Sequence, residues 1–315
     1  MNAVVTGAAG FIGSTLAGRL LDRGATVIGI DCFTDYYPRP LKERNLESLL
    51  GRRGFRFVEA RLQDADLDAL LDGVTHVFHL AAQAGVRRSW GREFEIYTTH
   101  NIGATQRLLE ACVGRPISRF VYASSSSVYG DSTPVPMRED MRVQPLSPYG
   151  VTKLAAEHLC QLYAVNHGVP TTSLRYFTVY GPRQRPDMAF NKFIRAAIDG
   201  APIHVFGDGG QTRDFTYVDD AVGATIAASE RGEIGGVYNI GGGSRVSVIE
   251  VLDILGRVTG RRLNVQYGPP QKGDMRDTWA DTTRARTDLG FAPAVTLEEG
   301  LAEEYRWLSA SSITS

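Results

Sequence analysis

Cysteine is scarce in this chain of 315 residues: Cys32, Cys112 and Cys160 form no Cys-x-x-Cys pair and no even framework. That excludes a disulfide scaffold and fits a reducing compartment. Long apolar runs are absent as well. No stretch of about 18 apolar residues occurs, and an apolar strand begins at Ala3 with no signal-peptide pattern before it, so no membrane association is expected and the cytoplasm is the expected location. Charge of one sign is in excess nowhere. The 34 basic and 35 acidic residues lie in no block and leave a formal net charge of −1, which argues against a nucleic-acid or membrane-surface binder. The six histidines are scattered without a His-x-x-x-His pair, so no metal is expected, and His79, near the end of an apolar run, reads as a buried polar residue. A small-molecule partner is the default that remains.

What is present is a rhythm. At 43% hydrophobic and 22% charged residues, the chain can bury a sizeable core in one large domain or two lobes. In the first half, "AVVTG", "ATVIGID", "FRFVEA", "THVFHLAA" and "RFVYASS" read as buried strands, and the segments from Phe11, Arg92 and Ser147 read as helices. This βαβα alternation predicts an α/β fold with a doubly wound parallel sheet, whose ligands sit beyond the carboxyl ends of the strands. After "TTSLRYF" (171–177) the rhythm breaks into the Gly/Pro/Arg-rich pieces "YGPRQRPDM" and "FGDGGQTRD", before a strand "GVYNIGG" (236–242) and more helix. These later segments are expected to form a smaller lobe closing over the sheet.

Two motifs carry chemistry. "TGAAGFIGS" places Gly7, Gly10 and Gly13 between the first strand and the first helix. The first glycine permits the tight turn, the second a close approach to a pyrophosphate, and the third close packing of helix on strand, with the helix amino terminus facing the phosphates. Asp31 ends the second strand, where its carboxylate can accept from a ribose 2′-hydroxyl and repel a 2′-phosphate, so NAD is expected over NADP. The second motif, "SPYGVTK", puts Tyr149 and Lys153 at i and i+4 on one helix face. With 13 tyrosines and four lysines in the chain, roughly 0.2 such pairs are expected by chance. Taken alone, the pair could be an aromatic and a solvated lysine sharing a face. As chemistry, a phenol with an ordinary pKa of about 10 becomes a base near neutral pH when cations stabilise its phenolate, and Lys153 and an oxidised nicotinamide supply two. Ser125, at the tip of the adjacent strand, is placed to share the substrate's proton.

The ordered set "TGAAGFIGS", "HLAAQAGVRRS", "SSSSVYG", "YGVTK", "RYFTVYGP", "FGDGGQTRDFTYVDD" and "GDMRDTWAD" resembles the extended short-chain dehydrogenase/reductases, in particular their nucleotide-sugar epimerases, over nearly the whole chain. The resemblance implies a Rossmann-like NAD domain over 1–174, rejoined at about 215–241, and a smaller α/β UDP-sugar lobe from 175–214 and 242–315. It also implies tightly held NAD and a homodimer built on a four-helix bundle. By position it implies Tyr149 as base, Lys153 as anchor of the nicotinamide ribose and Ser125 as hydroxyl partner. The Phe11 and Ile12 amides would meet the pyrophosphate, with Leu62, Leu80 and Tyr176 completing the cofactor site. Phe206 would contact uracil, Arg213 the UDP phosphates and Asp274 the uridine ribose. One departure stands out: Arg61 precedes Leu62 where many relatives keep an acidic residue for the adenine amine, so that contact must be replaced or lost.

The run "YASSSSVYGD" narrows the reaction. Dehydratases and decarboxylases of the family carry carboxylates just before "VYG", whereas here the positions hold Ser126 and Ser127. A serine near neutral pH can neither expel the C6 hydroxyl as an acid nor take the C5 proton as a base. What remains is oxidation at C4 and its reversal, the reaction of a 4-epimerase. "TVYGPRQRPDMAF" (178–190) resembles the UDP-glucuronate 4-epimerases of bacteria and plants, and Thr178 stands where UDP-glucose epimerases usually have asparagine. Ser126, Ser127 and Thr178 then read as a hydroxyl cradle, free of acidic residues, for the sugar's C6 carboxylate, with Arg87 and Arg185 as anion partners. Alternatively, the serines simply end a strand and Arg185 faces solvent. Other functions stay open on the sequence: a UDP-glucose or UDP-N-acetylhexosamine 4-epimerase, an NAD-dependent nucleotide-sugar dehydrogenase or reductase, and a non-catalytic NAD sensor.

Overall fold

The computed structural model describes residues 1–312 apart from Ser132, Pro270, Lys272 and Asp274. Its strands are β1 (Asn2–Thr6), β2 (Thr26–Asp31), β3 (Phe55–Glu59), β4 (His76–His79), β5 (Arg119–Ser125), β6 (Thr171–Tyr176), β7 (Thr178–Tyr180), β8 (Ile203–Phe206), β9 (Thr212–Tyr217), β10 (Gly236–Ile240), β11 (Arg245–Ser247) and β12 (Val265–Gly268). Seven of them form one sheet in the order β10-β6-β5-β4-β1-β2-β3, with every pair parallel. This is the Rossmann-like doubly wound arrangement expected from the alternating pattern. Burial is uneven across the sheet: β6 and the edge strand β10 are buried at every residue, while the opposite edge strand, β3, exposes Arg56 and Glu59.

Register decides where the chemistry collects. Thr6 pairs with Ile30 and with His79, His79 with Tyr122, and Ser125 with Tyr176, so the carboxyl ends of five strands lie along one rim. The strand order reverses between β1 and β4, which opens a crevice at that rim. His79 helps to hold the crevice in place. Its Nδ1 meets Thr6 Oγ1 at 2.8 Å and its Nε2 meets Thr105 Oγ1 at 2.9 Å, and burial lowers its pKa to about 3. It is a neutral structural residue, as the sequence suggests.

The remaining strands build a three-stranded sheet, β11-β9-β7, and a parallel pair, β12-β8, over the rim. The helix expected from Arg92 is not uniform. A 3₁₀ turn at Gly91–Glu93 leads through Phe94–Tyr97 and a π segment, Thr98–Gly103, into Ala104–Cys112. Asn101, in the π segment, spends its side chain on other backbone: its Oδ1 accepts from the Gln83 amide at 2.7 Å, and its Nδ2 donates to the Gln83 carbonyl at 3.1 Å and to Thr152 Oγ1 at 3.0 Å. The widened turn aims Asn101 inward at the stretch following β4. Among the described residues no helix is long and apolar enough to cross a membrane.

Candidate active site

A cavity of about 1230 Å³ lies between the rim and the smaller sheets. Its lining brings together every residue singled out from the sequence as catalytic, cofactor-binding or substrate-binding except Asp274, which lies outside the described residues.

At the cofactor end, the turn after β1 is closed by Gly7, at φ 72°, whose amide donates to the Ile30 carbonyl at 2.8 Å. A Cβ on Gly7 would sit 2.9 Å from the Ala81 nitrogen, and one on Gly13 would sit 2.0 Å from the Gly7 carbonyl oxygen. Both positions therefore need glycine. The helix Phe11–Asp22 begins at Gly10 with no side-chain cap, which leaves its first amides for an anion at the cavity wall. Asp31 is fixed in place: Oδ2 accepts from the Ala9 amide at 3.1 Å and Oδ1 from the Phe33 amide at 2.9 Å. Burial raises the Asp31 pKa, while the Phe33 amide and the Lys42 charge work against that rise. These groups fit the pyrophosphate and adenosine ribose of a dinucleotide.

Near Leu62, where the resemblance implies adenine, the structure shows more than a substitution by Arg61. Arg61 is exposed and reaches Asp64 at 3.7 Å. Gln63 lines the cavity instead, with its Nε2 donating to the Thr99 carbonyl at 2.8 Å and its buried Oε1 left without a partner. The Gln63 side chain thus keeps one acceptor unused beside Leu62. Nothing in the local sequence marks Gln63, because its orientation depends on the distant π segment.

The reacting end is assembled by the helix Pro148–His167 against β5. Ser147 caps that helix, its Oγ accepting from the Gly150 amide at 3.1 Å, and Pro148 opens it, so Tyr149 enters the cavity from a fixed first turn. Burial raises the Tyr149 pKa; the Arg185 charge and a hydrogen bond with Ser125 pull it down. Arg185 thus bears on the phenol, a role the sequence reading did not assign to it. Lys153 is also buried, its Nζ donating to the Ala123 carbonyl at 2.8 Å, and burial lowers its pKa to about 8. Tyr97 packs edge-on against Tyr149 with ring centroids 6.3 Å apart.

Beyond this group, Ser126 and Ser127 occupy a single 3₁₀ turn whose entry is capped by Ser125, with the Ser127 amide donating to Ser125 Oγ at 3.2 Å. The pairing of Ser125 with Tyr176 brings the start of β7, and with it Thr178, to the same end. Arg185 does not wave in solvent: it pairs with Asp187, which also lines the cavity and was not anticipated. At the far end, the Arg87 guanidinium lies 4.6 Å from the Phe206 ring centroid, and Phe206 is 37% exposed. Arg213 Nη1 donates to the carbonyls of Thr212 and Arg276 at 2.8 and 2.9 Å. The arrangement offers a phosphate-binding turn, a phenol with a hydroxyl partner and two cations, and a group of hydroxyls, all in one cleft.

Known proteins resemble the whole chain. The uncharacterized UDP-glucose epimerase YtcB of Bacillus subtilis (strain 168) is 47% identical over 312 residues, covering 98% of each chain. A UDP-glucuronate 4-epimerase of Thermodesulfobacterium geofontis (strain OPF15) is 38% identical over 310 residues, 96% of this chain and 95% of that one. Among solved structures, the Bacillus cereus UDP-glucuronic acid 4-epimerase in complex with UDP-glucuronic acid and NAD superposes with a TM-score of 0.96 at 45% identity, covering 99% of this chain and all 100% of that one. Residues 3–241, from the first strand through the last strand of the central sheet, match one family model. By that match and these full-length likenesses, the chain belongs to the NAD dependent epimerase/dehydratase family.

Proposed function

We propose that this chain is an NAD-dependent UDP-glucuronate 4-epimerase, interconverting UDP-glucuronate and UDP-galacturonate. The observation that carries the reading is the set of groups next to Tyr149 and Ser125: Ser126, Ser127 and Thr178 line the cavity where a dehydratase or decarboxylase needs carboxylates, and Arg185 stands with them. Hydroxyls and a guanidinium suit an anionic C6 group.

Tyr149 takes the proton from O4 of the sugar, with Ser125 holding the hydroxyl in line. Gly7, Gly10, Gly13 and Asp31 would hold NAD, which when bound would supply the acceptor for hydride from C4 and the donor for its return. Lys153 and Arg185 favour the phenolate that Tyr149 must offer, and the buried site excludes water from the 4-keto sugar. The sugar then presents its other face, and Tyr149 gives the proton back to O4 of the opposite configuration. No net redox change results. In this scheme Ser126, Ser127 and Thr178 hold the carboxylate still, while Phe206, Arg87 and Arg213 hold the nucleotide.

The division of labour that goes with this reading assigns 1–174 and about 215–241 to the cofactor, and 175–214 with 242–315 to the UDP-sugar. A homodimer also belongs to it. Val151 and Leu162 are 48% and 55% exposed on the helix Pro148–His167, and Ile96 is 42% exposed on the neighbouring helix, an apolar set suited to a four-helix contact with a second copy. A cytoplasmic location goes with this reading. Purified enzyme offered UDP-glucuronate and UDP-glucose separately tests the substrate: preference for UDP-glucose supports the second reading, a UDP-glucose 4-epimerase, which the name of the 47% identical relative favours.

A further inference from the structure

Arg185 is oriented by a bridge that crosses the cleft. Its Nε donates to Asp187 Oδ1 at 2.9 Å and its Nη2 to Asp187 Oδ2 at 3.0 Å, a side-on fork within the loop that follows β7. Asp187 Oδ2 also accepts from the Tyr36 hydroxyl at 3.1 Å, and Tyr36 comes from the loop after β2, 151 residues earlier. Space for that hydroxyl exists because residue 85 is glycine: a Cβ on Gly85, at φ +98°, would fall 2.0 Å from Tyr36 Oη. Tyr97 in turn fixes Gly85, donating from its hydroxyl to the Gly85 carbonyl at 2.7 Å. The Arg185 guanidinium lies 5.7 Å from the Tyr36 ring centroid, and the Asp187 carboxyl is held below its ordinary pKa, with the charge of Arg185 overcoming the cost of burial.

The geometry settles which edge of the guanidinium is spoken for. Asp187 takes the Nε/Nη2 edge, and Nη1 has no acceptor among the described residues, although Arg185, Asp187 and Tyr36 all line the cavity with Ser126, Ser127 and Thr178. An arginine gripped along one edge has its plane fixed and presents the other edge to whatever enters. The N–H groups of the open edge match the two oxygens of a carboxylate, a forked pairing that a neutral hydroxymethyl group cannot reproduce.

We propose that Asp187 and Tyr36 are positioning residues that orient Arg185 toward the C6 carboxylate of the sugar, and so help to select uronic-acid donors. The proposal rests on the UDP-glucuronate reading given above. Neither residue touches the reacting atoms; each acts through Arg185. Tyr36→Phe keeps the ring and removes one hydrogen bond to Asp187. Asp187→Asn keeps the shape and removes the charge that grips the guanidinium.

The test measures kcat and KM for UDP-glucuronate in the holoenzyme, for Tyr36→Phe and Asp187→Asn, each made in the wild-type protein and in Arg185→Gln. In the wild-type protein, KM should rise by about threefold for Tyr36→Phe and about tenfold for Asp187→Asn, with kcat kept within about threefold. In Arg185→Gln neither substitution should raise KM further, because the residue they act through is gone. Asp187→Glu should recover part of the loss. An unchanged or lowered KM in Asp187→Asn, or penalties that add in full to that of Arg185→Gln, overturns the proposal. Wild-type enzyme that leaves UDP-glucuronate unconverted overturns the substrate reading and the proposal with it; conversion by wild type with unaffected variants overturns the positioning role alone.

Discussion

The ammonium of Lys153 stands 6.0 Å from the centroid of the Tyr149 ring, one helical turn away, and donates to the Ala123 carbonyl rather than to the phenol. Lys153 is therefore a near neighbour of Tyr149 and not its hydrogen-bond partner. Its own pKa is brought down to about 8 by burial, the same burial that raises the pKa of Tyr149. Burial disfavours the charged form of each group, so the phenolate of Tyr149 gains from any cation brought beside it.

Tyr149→Phe deletes the phenolic oxygen and leaves the ring against Tyr97. Dinucleotide and UDP-sugar should still bind, while turnover falls by on the order of 10²–10⁴, the usual worth of a positioned acid/base. Single-turnover kinetics decide it: a rate within about threefold of wild type removes Tyr149 from the mechanism.

Asp31 is held by two backbone amides at the end of β2, where a 2′-phosphate would meet its charge. Stripped enzyme should bind NAD well ahead of NADP, and Asp31→Ser should narrow that gap. Fluorescence titration with both dinucleotides checks this; equal wild-type affinities contradict the assignment.

These two sites are the part that sequence alone makes readable, for a physical reason. Gly7, Gly10 and Gly13 are forced by one turn, Tyr149 and Lys153 by one helical period, and Asp31 and Ser125 by the ends of strands. Contacts made over long separations leave no such spacing. Gln63 is oriented by Thr99, Asp187 meets Tyr36 across 151 residues, and the π segment at Thr98–Gly103 owes its shape to what Asn101 bonds elsewhere. The parallel sheet was readable from its apolar runs. The pairing of β9 with β7 and β11 was not, because β7 and β11 are three residues long and β9 is half-polar.

Oxidising C4 of a uronic acid makes a β-keto acid, which loses carbon dioxide when the C5–C6 bond lines up with the carbonyl π system. On the proposed reading, donors from Ser126, Ser127 and Thr178 would oppose this by favouring the localised carboxylate over the spread charge of decarboxylation. Ser126→Ala, Ser127→Ala or Thr178→Ala should slow UDP-glucuronate turnover and raise the yield of UDP-4-keto-pentose, each lost bond to a charged group costing roughly 1.5–3 kcal/mol. Carbon-13 label at C6 reports it. Wild-type rates and no extra labelled carbon dioxide in all three variants would mean that these hydroxyls hold no carboxylate.

Glu304, buried on the helix Leu297–Ser312, ties down the loop that leads to Arg185 by accepting from the Gly181 amide at 2.9 Å. Burial raises its pKa from 4.5 to about 8. The folded state thus keeps a proton that the unfolded chain releases: the stability linked to this group is full below pH 4.5 and lost as pH rises through about 8. Glu304→Gln stays neutral, so its Tm should fall less than that of wild type between pH 6 and 9. Parallel Tm curves for the two proteins would rule the linkage out.

The most direct measurement is proton and carbon-13 NMR of UDP-glucuronate incubated with purified enzyme, read alongside absorbance at the reduced-cofactor band. The account predicts a mixture of UDP-glucuronate and UDP-galacturonate, with no accumulating reduced cofactor and no carbon dioxide. Recovery of UDP-glucuronate unchanged by enzyme that converts UDP-glucose to UDP-galactose, or reduced cofactor building up with turnover, would contradict it.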